Sequence, residues 1–372
     1  MSENKNLPEN VVDYCRIYFD YLRRLNKTLT LLREKPDVDV GTTPKEIVHQ
    51  KNDVKLYRYL SSNVKRQTSN VKRQTSNVKR PPILLVYALV NRPYIMDLQP
   101  DRSIVRTLLN NGLDVFLIDW DYPSACDKYL EIKDYIHRFI DEFVDKVCEV
   151  TNRKKISMLG YCMGGTFATI YTALYPEKIN SLIVEASLID FRSERGLLNL
   201  WADDKYFNTD KIVDTMGLIP GDFLNTAFLL LNPVGNLLGK YISIVDDIDD
   251  EEKVKNFLRM EKWIYDSVPL VGETYREFIK KGYQQNLLIQ NKWDLDGQII
   301  NLKNITCPLL ILVADKDHIV PPETTTPLYD AVSSKEKKII RYPAGHIGLS
   351  VSSKAHVELW PEVAKWVIKV GY

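Results

Sequence analysis

The chain has 372 residues, of which 45% are hydrophobic and 27% charged, and its formal net charge is +1. This composition is typical of a folded soluble protein, and a net charge near zero excludes a general attraction to nucleic acid. The first ten residues lack the pattern of a signal peptide, and the apolar runs are too short to span a bilayer. The scattered cysteines favour a reducing cytoplasm and argue against disulfides or a zinc site. They are Cys15, Cys126, Cys148, Cys162 and Cys307.

The first elements of the chain precede its main pattern. Apolar residues recur at helical spacing over residues 10–34, which predicts a helix within an N-terminal segment 1–50. We expect this helix to pack on its own domain, with docking of a partner as the alternative. Residues 54–60 alternate between apolar and polar side chains, as a strand does.

A tandem repeat separates this strand from the next one. Residues 62–80 read SNVKRQT twice and then SNVKR, and they carry six positive charges. One weakly apolar valine per repeat provides no coiled-coil seam. The composition predicts a solvated loop, and the alternative is a basic patch that binds polyanions.

From Pro82 onward, buried strands and amphipathic helices alternate. Continuous apolar runs are typical of buried parallel strands, and the stretches between them have helical periodicity. This order predicts a mostly parallel sheet with right-handed crossovers. The predicted strands are 83–90, 114–120, 155–159, 179–187, 307–315 and 337–344, and the predicted helices include 101–111, 131–150, 325–332 and 355–369.

The alternation stops between residues 190 and 300. This stretch is rich in aromatic and helical segments and has no clear buried strand. We therefore predict a mainly helical cap over 190–300, inserted into a core domain made of 51–189 and 301–372.

A glycine-rich turn, Gly160-Tyr161-Cys162-Met163-Gly164-Gly165, lies between a predicted strand and a predicted helix. This is the nucleophile-elbow pattern of α/β-hydrolases, with Cys in the place of Ser. Glycines two positions to either side of the nucleophile let the strand and the helix approach closely. The helix N terminus favours a thiolate and an oxyanion. The pattern predicts an α/β-hydrolase fold with Cys162 as the nucleophile, and the alternative is a buried structural cysteine.

A catalytic cysteine needs a base, because its thiol is mostly protonated at neutral pH. In α/β-hydrolases the chain order is nucleophile, acid, histidine, each on a loop at the carboxyl end of a strand. His346 follows the strand 337–344 in the sequence A-G-H-I-G, and it is the predicted base. His49 precedes the predicted sheet, and His137 and His356 fall within predicted helices.

The acid of such a triad is expected just after the strand 307–315. Asp317 lies a few residues beyond the end of this strand and is the predicted acid. Asp315 is predicted to be a turn residue. His318 directly follows Asp317, so it cannot be the histidine that this carboxylate orients.

Two hydrogen-bond donors are needed for the oxyanion of a tetrahedral intermediate. The backbone N–H of Met163, directly after the nucleophile, is the first candidate. The second is expected in the loop after the strand 83–90, where we predict Val90, with Asn91 as the alternative.

The sequence resembles the polyhydroxyalkanoate synthases of the PhaC family. The resemblance runs from about residue 40 to the C terminus, and the short chain looks most like the class III enzymes. The basic repeat at 62–80 departs from the family, which has a shorter connection there. The segments that carry the resemblance are GYCMGG (160–165), YALVNRPYIMDLQPDRS (87–103), DVFLIDWDYP (114–123), VKNFLRMEKWIYDS (254–267), ADKDHIVPPE (314–323) and PAGHIG (343–348).

The resemblance implies polymerisation of (R)-3-hydroxyacyl-CoA, with 3-hydroxybutyryl-CoA as the expected monomer, into a polyester with release of CoA. Cys162 would carry the acyl group, His346 would be its base and Asp317 the acid. The implied partner is an unlike subunit of the PhaE type rather than the PhaR type, in an assembly that also contains several copies of this chain. The implied location is the cytoplasm, at polymer granules. No metal ion or redox cofactor is implied.

Two other functions remain open from the sequence alone. The first is a cysteine-dependent hydrolase of the dienelactone hydrolase or thioesterase type, since dienelactone hydrolases also have a G-x-C-x-G-G elbow. Those enzymes are much shorter and lack a cap of this size. The second is a non-catalytic granule-associated protein, which would have no reason to keep Cys162, Asp317 and His346.

Overall fold

In the computed structural model, which describes residues 11–61, 80–193 and 196–371, the described chain forms an eight-stranded central sheet. The strands are β1 (Lys45–Lys51), β2 (Val54–Tyr59), β3 (Pro82–Val86), β4 (Asp114–Asp119), β5 (Ile156–Tyr161), β6 (Ile179–Glu185), β7 (Leu309–Ala314) and β8 (Lys337–Tyr342). Their order in the sheet is β1-β2-β4-β3-β5-β6-β7-β8. β1 pairs antiparallel with β2, and β2 pairs antiparallel with β4, whereas the remaining neighbours are parallel. The predicted α/β-hydrolase fold with a mostly parallel sheet is confirmed.

The central strands are buried on both faces. Every residue of β3, β4, β5 and β7 is buried, and in β6 only Asn180 is partly exposed. Helices cover both faces of a parallel sheet, so its inner strands are continuous apolar runs rather than alternating ones. This burial explains why these strands are the part of the fold that the sequence predicts best.

The helices connect the strands and form the layers on both sides of the sheet. Three segments are π-helical: Asp134–Ile140, Val234–Gly239 and Phe278–Gln284. The first of them continues directly into the α-helix Asp141–Thr151, so the helix predicted at 131–150 begins with wider turns. The α-helices are α1 (Val11–Glu34), α2 (Ile104–Asn110), α3 (Asp141–Thr151), α4 (Met163–Leu174), α5 (Leu197–Ala202), α6 (Thr209–Met216), α7 (Gly221–Leu230), α8 (Lys240–Asp247), α9 (Glu251–Tyr265), α10 (Gly272–Glu277), α11 (Pro322–Thr325), α12 (Leu328–Ala331), α13 (Gly348–Val351) and α14 (Ser353–Gly371).

Short elements complete the described chain. The 3₁₀ turns are Pro93–Met96, Ala125–Asp127 and Leu302–Asn304. Antiparallel pairs form between Asp97–Gln99 and Arg102–Ser103, between Leu218–Ile219 and Leu270–Val271, and between Asp294–Leu295 and Gln298–Ile299.

The first strand of the sheet escapes the sequence pattern. The pattern places His49 before the sheet, and this is wrong, because His49 lies in β1. Its Nε2 lies 2.6 Å from Oε1 of Glu142 on α3. β1 is a polar edge strand, KEIVHQK, in which no residue is fully buried, so it lacks the apolar run that marks the inner strands.

The segment between β6 and β7, which is called the cap from here on, is mainly helical and contains α5 to α10. It also contains the short pair of Leu218–Ile219 with Leu270–Val271, which the sequence does not reveal. The cap boundaries at 190 and 300 stay a prediction. Within the described residues no single helix is long and apolar enough to cross a membrane, although α7 and Val234–Asp247 together have that length and composition across a bend of 104°.

Helix α1 lies against the cap of its own chain through charged side chains. Nη2 of Arg23 lies 2.6 Å from Oδ2 of Asp249, and Nζ of Lys27 lies 2.9 Å from Oδ1 of the same carboxylate. Tyr18 and Phe19 of the same helix are 60% and 67% exposed. The apolar periodicity therefore predicts the helix correctly but not the face by which it packs. The basic repeat lies outside the described residues except for Arg80, and its interpretation as a solvated loop stays a prediction.

Candidate active site

Cys162 lies in a sharp turn between β5 and α4. Its backbone has φ +54° and ψ −125°, a region that residues with a side chain rarely adopt. Its N–H donates to the carbonyl oxygen of Glu185 at 2.9 Å, and its own carbonyl oxygen accepts from the N–H of Gly165 at 2.9 Å. These hydrogen bonds hold the strained backbone in place, and strain of this kind is typical of functional sites.

The glycines around Cys162 are required by the close approach of neighbouring backbone. A Cβ on Gly160 would overlap Gly165, and a Cβ on Gly164 would overlap the carbonyl oxygen of Val86 at the end of β3. A Cβ on Gly165 would overlap the side chain of Ser187. The glycine spacing that identifies the elbow in the sequence is thus a packing requirement of the central sheet.

The structure brings Asp317 and His346 together from the loops after β7 and β8. The Nδ1–H of His346 donates to Oδ2 of Asp317 at 2.7 Å. The other carboxylate oxygen accepts from the backbone N–H groups of Ile319 and Val320 at 2.9 and 2.8 Å. The carboxylate side chain is completely buried. It is therefore fixed on both oxygens and determines the orientation of the imidazole.

His346 and Cys162 line the same cavity, and Cys162 is one of the groups that raise the pKa of His346. The imidazole also lies against the ring of Tyr161, with ring centroids 5.2 Å apart. Tyr161 in turn stacks on Tyr87 at 5.5 Å. The imidazole is thus confined by packing as well as by hydrogen bonds.

The charges of the site favour the imidazolium form of His346. Burial acts to lower the pKa of this imidazole, but the Asp317 carboxylate and a thiolate at Cys162 raise it, and the net pKa of His346 lies well above its usual value. A proton leaving Cys162 can therefore be kept on His346. The arrangement can generate a thiolate and can later return the proton to a leaving group.

A large cavity with apolar walls opens at Cys162. Its volume is about 770 Å³, and its lining comes from Cys162, the loops of the sheet domain and the cap. Within the cap, α7 contributes Phe223, Leu224, Ala227 and Phe228. Such a cavity accepts an apolar acyl chain and offers few polar groups to water.

A second, smaller cavity of about 290 Å³ also borders Cys162. His346 and His318 line it from the sheet domain, and Asn225 and Asn236 line it from the cap. It is therefore the more polar of the two spaces. Both cavities border Cys162, the larger one with apolar walls and the smaller one with these polar side chains.

The two predicted oxyanion donors lie beside Cys162. Met163 is the first residue of α4 and lines the large cavity, so its N–H is one of the donors that a helix leaves unpaired at its N terminus. Val90 lines both cavities. The indole N–H of Trp120 donates to the carbonyl oxygen of Tyr87 at 2.9 Å and so anchors the loop that carries Val90.

Comparison with known proteins identifies the family. The sequence matches the family model of the alpha/beta hydrolase fold over residues 81–352. It is 42% identical over 348 residues to the poly(3-hydroxyalkanoate) polymerase subunit PhaC of Allochromatium vinosum, covering 94% of this chain and 95% of that protein. The chain belongs to the PhaC family.

A longer relative of the PhaC family comes from Haloferax mediterranei. It is 43% identical over 330 residues, which cover 89% of this chain but 65% of that PhaC. Among solved structures, the monoacylglycerol lipase of Paleococcus ferrophilus aligns with a TM-score of 0.48 and 16% identity, over 78% of this chain and 96% of that one.

Two polar residues near Cys162 and His346 are not identified by the sequence pattern. Glu185 is completely buried at the end of β6, beside Tyr161 on β5, and Asn225 is 8% exposed at the smaller cavity. The signal for each is a polar residue within a mostly apolar stretch, INSLIVEAS for Glu185 and DFLNTAFLLL for Asn225. Asn and Glu are mostly exposed in proteins, so the sequence alone does not indicate that these two are buried.

Three other residues considered in the sequence analysis have different partners in the fold. Asp315 pairs with Arg341 at 2.8 Å on the surface, His137 hydrogen-bonds to Tyr175, and His356 bonds to the carbonyl oxygen of Ser350. In the part of the chain that the structure describes, no group of three or more His, Cys, Asp or Glu side chains is arranged to hold a metal ion.

Proposed function

We propose that this PhaC family member is the catalytic subunit of a poly(3-hydroxyalkanoate) polymerase, which joins (R)-3-hydroxyacyl units from their CoA thioesters into a polyester. (R)-3-Hydroxybutyryl-CoA is the proposed monomer. The observation that carries the proposal is the arrangement of Cys162, His346 and Asp317 at the junction of an apolar and a more polar cavity. A cysteine nucleophile suits a thioester, because the attacking and leaving groups are both thiolates.

The first step transfers the acyl group to the enzyme. His346 takes the proton of Cys162, and the thiolate attacks the thioester carbonyl. The N–H groups of Met163 and Val90 are the proposed donors to the oxyanion. When the tetrahedral intermediate collapses, the C–S bond to CoA breaks and His346 returns the proton to the CoA thiolate. The products are CoA and an acyl thioester on Cys162.

The second step forms the ester bond. His346 is now neutral and accepts the proton of a 3-hydroxyl group, while Asp317 stabilises the imidazolium that forms. The hydroxyl oxygen attacks the thioester on Cys162, the C–S bond breaks, and the thiolate is regenerated beside the imidazolium. Each added unit therefore releases one CoA and consumes no water.

The cap has a specific task in this mechanism. An acyl thioester on Cys162 survives only if water is kept from it while the alcohol attacks. The walls of the 770 Å³ cavity are apolar, and cap helices α5 and α7 supply much of this lining. The same walls suit an aliphatic polyester, so we propose that the growing chain occupies this cavity.

The proposed assembly follows the class III members of the PhaC family. This chain covers 95% of the PhaC of Allochromatium vinosum, so the two are of similar length. We propose an unlike partner subunit of the PhaE type, more than one copy of this chain in the assembly, and a cytoplasmic location at the surface of polymer granules.

The test is CoA release by the purified full chain from (R)-3-hydroxybutyryl-CoA, measured with a thiol reagent, with and without a PhaE-type subunit. The acyl product is analysed in parallel as polymer or free acid. We expect CoA release with polymer. Cys162→Ala should abolish it, and the matched control Cys126→Ala, at an exposed cysteine, should not.

Two results would contradict the proposal. CoA release with free 3-hydroxybutyrate as the only product would identify a cysteine-dependent hydrolase. Equal CoA release by the Cys162→Ala variant and the unchanged protein would remove Cys162 as the nucleophile.

A further inference from the structure

Asn225 is a buried polar residue without a protein partner. It lies on cap helix α7, is 8% exposed, and lines the smaller cavity together with Cys162 and His346. Its amide has two donors and one acceptor oxygen. Within the described residues, no hydrogen bond from or to this amide is formed.

Two neighbours of Asn225 do form side-chain hydrogen bonds within the protein. Asn236 lines the same cavity, but its Nδ2 lies 3.1 Å from the carbonyl oxygen of Leu229. Thr226, the next residue on α7, donates to the carbonyl oxygen of Asp222 at 2.7 Å. Of these three residues, Asn225 is the one whose side chain forms no hydrogen bond within the described residues.

Because the Asn225 amide has no protein partner and lines a cavity, only water or a bound group can satisfy its hydrogen bonds. The other cavity-lining residues of α7, such as Leu224 and Phe228, are apolar. Asn225 thus places one amide among apolar neighbours at a cavity that also borders Cys162. A group bound in this cavity is the partner that the amide lacks.

We propose that Asn225 binds the oxygen at position 3 of the acyl group that reacts with Cys162, and so selects 3-hydroxyacyl over unsubstituted acyl thioesters. This inference rests on the proposed function. The amide oxygen can accept from the free 3-hydroxyl, and the amide N–H can donate to the same oxygen once it is an ester. The Asn225 amide can therefore bind the oxygen at position 3 both in the monomer and in the growing chain. Because the amide contacts the acyl group and not the reacting bond, Asn225 is a specificity-determining residue.

The experiment compares acylation of Cys162 by (R)-3-hydroxybutyryl-CoA and by butyryl-CoA in a single turnover of the full chain. Butyryl-CoA lacks the 3-oxygen but has the same thioester, so it can acylate the enzyme once. The measured quantity is the ratio of the two second-order rate constants. Asn225→Leu keeps the size and removes the hydrogen bonds, and Asn225→Ala is the second variant in case leucine impairs folding.

We expect either substitution to lower the rate with the 3-hydroxy substrate by at least about tenfold and to leave the butyryl rate unchanged or higher. The control is Thr226→Val, on the same helix but outside both cavities. Its ratio of the two acylation rate constants should equal that of the wild-type protein.

Two results would overturn the inference alone. These are unchanged rate constants with both substrates in both Asn225 variants, as expected if the amide only holds water, and an equal loss with both substrates, as expected for a structural role. If neither thioester acylates Cys162 in the unchanged protein, the proposed function fails and this inference with it.

Discussion

The buried carboxyl group of Glu185 should make the protein less stable as the pH rises. The side chain is completely buried, Oε1 accepts from the hydroxyl of Ser350 at 3.1 Å, and Oε2 has no partner within the described residues. Burial raises the pKa of Glu185 from 4.5 to about 8, against the opposing effects of Ser350 and the positive charge of His346. At neutral pH, Glu185 therefore holds a proton in the folded protein and has lost it in the unfolded chain.

The sign and size of the effect follow from linkage. Between pH 4.5 and about 8 the folded state binds one more proton at Glu185 than the unfolded state, so the free energy of unfolding falls as pH rises. The slope is about 1.4 kcal/mol per pH unit. The accumulated penalty is about 3 kcal/mol at pH 7.

The perturbation that isolates this term is Glu185→Gln. The amide keeps the shape and can still accept from Ser350, but it does not titrate. We expect the variant and the unchanged protein to have similar free energies of unfolding at pH 5, measured by equilibrium urea denaturation. The variant should then gain about 1.4 kcal/mol over the unchanged protein with each pH unit up to pH 8.

The same substitution at an exposed position, Glu177→Gln, is the matched control and should show no such trend. All other titrating groups are shared by the compared proteins and cancel in the difference. If the stabilities of the Glu185→Gln variant and the unchanged protein stay parallel from pH 5 to pH 8, Glu185 is ionised in the folded state and the reasoning is wrong.

Three further substitutions test the elbow and the triad. Cys162→Gly should be about 1 kcal/mol more stable than Cys162→Ala in urea denaturation, because glycine adopts the positive φ without strain, and equal stabilities would contradict the strain. Gly164→Ala should lower the free energy of unfolding by about 3 kcal/mol or more, since its Cβ would overlap the carbonyl oxygen of Val86; Gly239→Ala, where the nearest atom is 3.5 Å away, is the tolerated control. Asp317→Asn should preserve part of the initial CoA burst but suppress steady CoA release, because an alcohol needs a stronger base than a thiol; equal losses in burst and steady rate would refute a separate role in elongation.

Most of the central sheet and the elbow can be predicted from the sequence. The inner strands are apolar runs because both of their faces are covered, and the spacing of Gly160 and Gly164 follows from overlaps that any side chain would create. Asp317 and His346 can be found by chain order, because the carboxyl ends of parallel strands meet at one edge of the sheet. The structure places these two side chains 2.7 Å apart, and their roles in catalysis stay a prediction.

Features that depend on residues distant in the chain are decided only by the tertiary structure. β1 is a polar edge strand that gains its place by pairing with β2, and α1 uses its charges rather than its aromatic residues to contact Asp249 on the cap. Neither choice is present in the local periodicity of these segments. The periodicity specifies an element, whereas the packing partner specifies which of its faces is covered.

The polar groups of the site illustrate the same limit. In the sequence, Glu185 and Asn225 are polar residues in mostly apolar stretches, and nothing nearby indicates whether water reaches them. In the fold, Glu185 is enclosed beside Ser350, which is 165 residues away, and Asn225 is brought over Cys162 by the cap. The inner strands and the glycine-rich elbow can be predicted from the sequence, because they depend on local burial and spacing, and the catalytic roles of Cys162, Asp317 and His346 stay a prediction. The fold decided which polar side chains lost their water, because desolvation depends on every element that packs around a group.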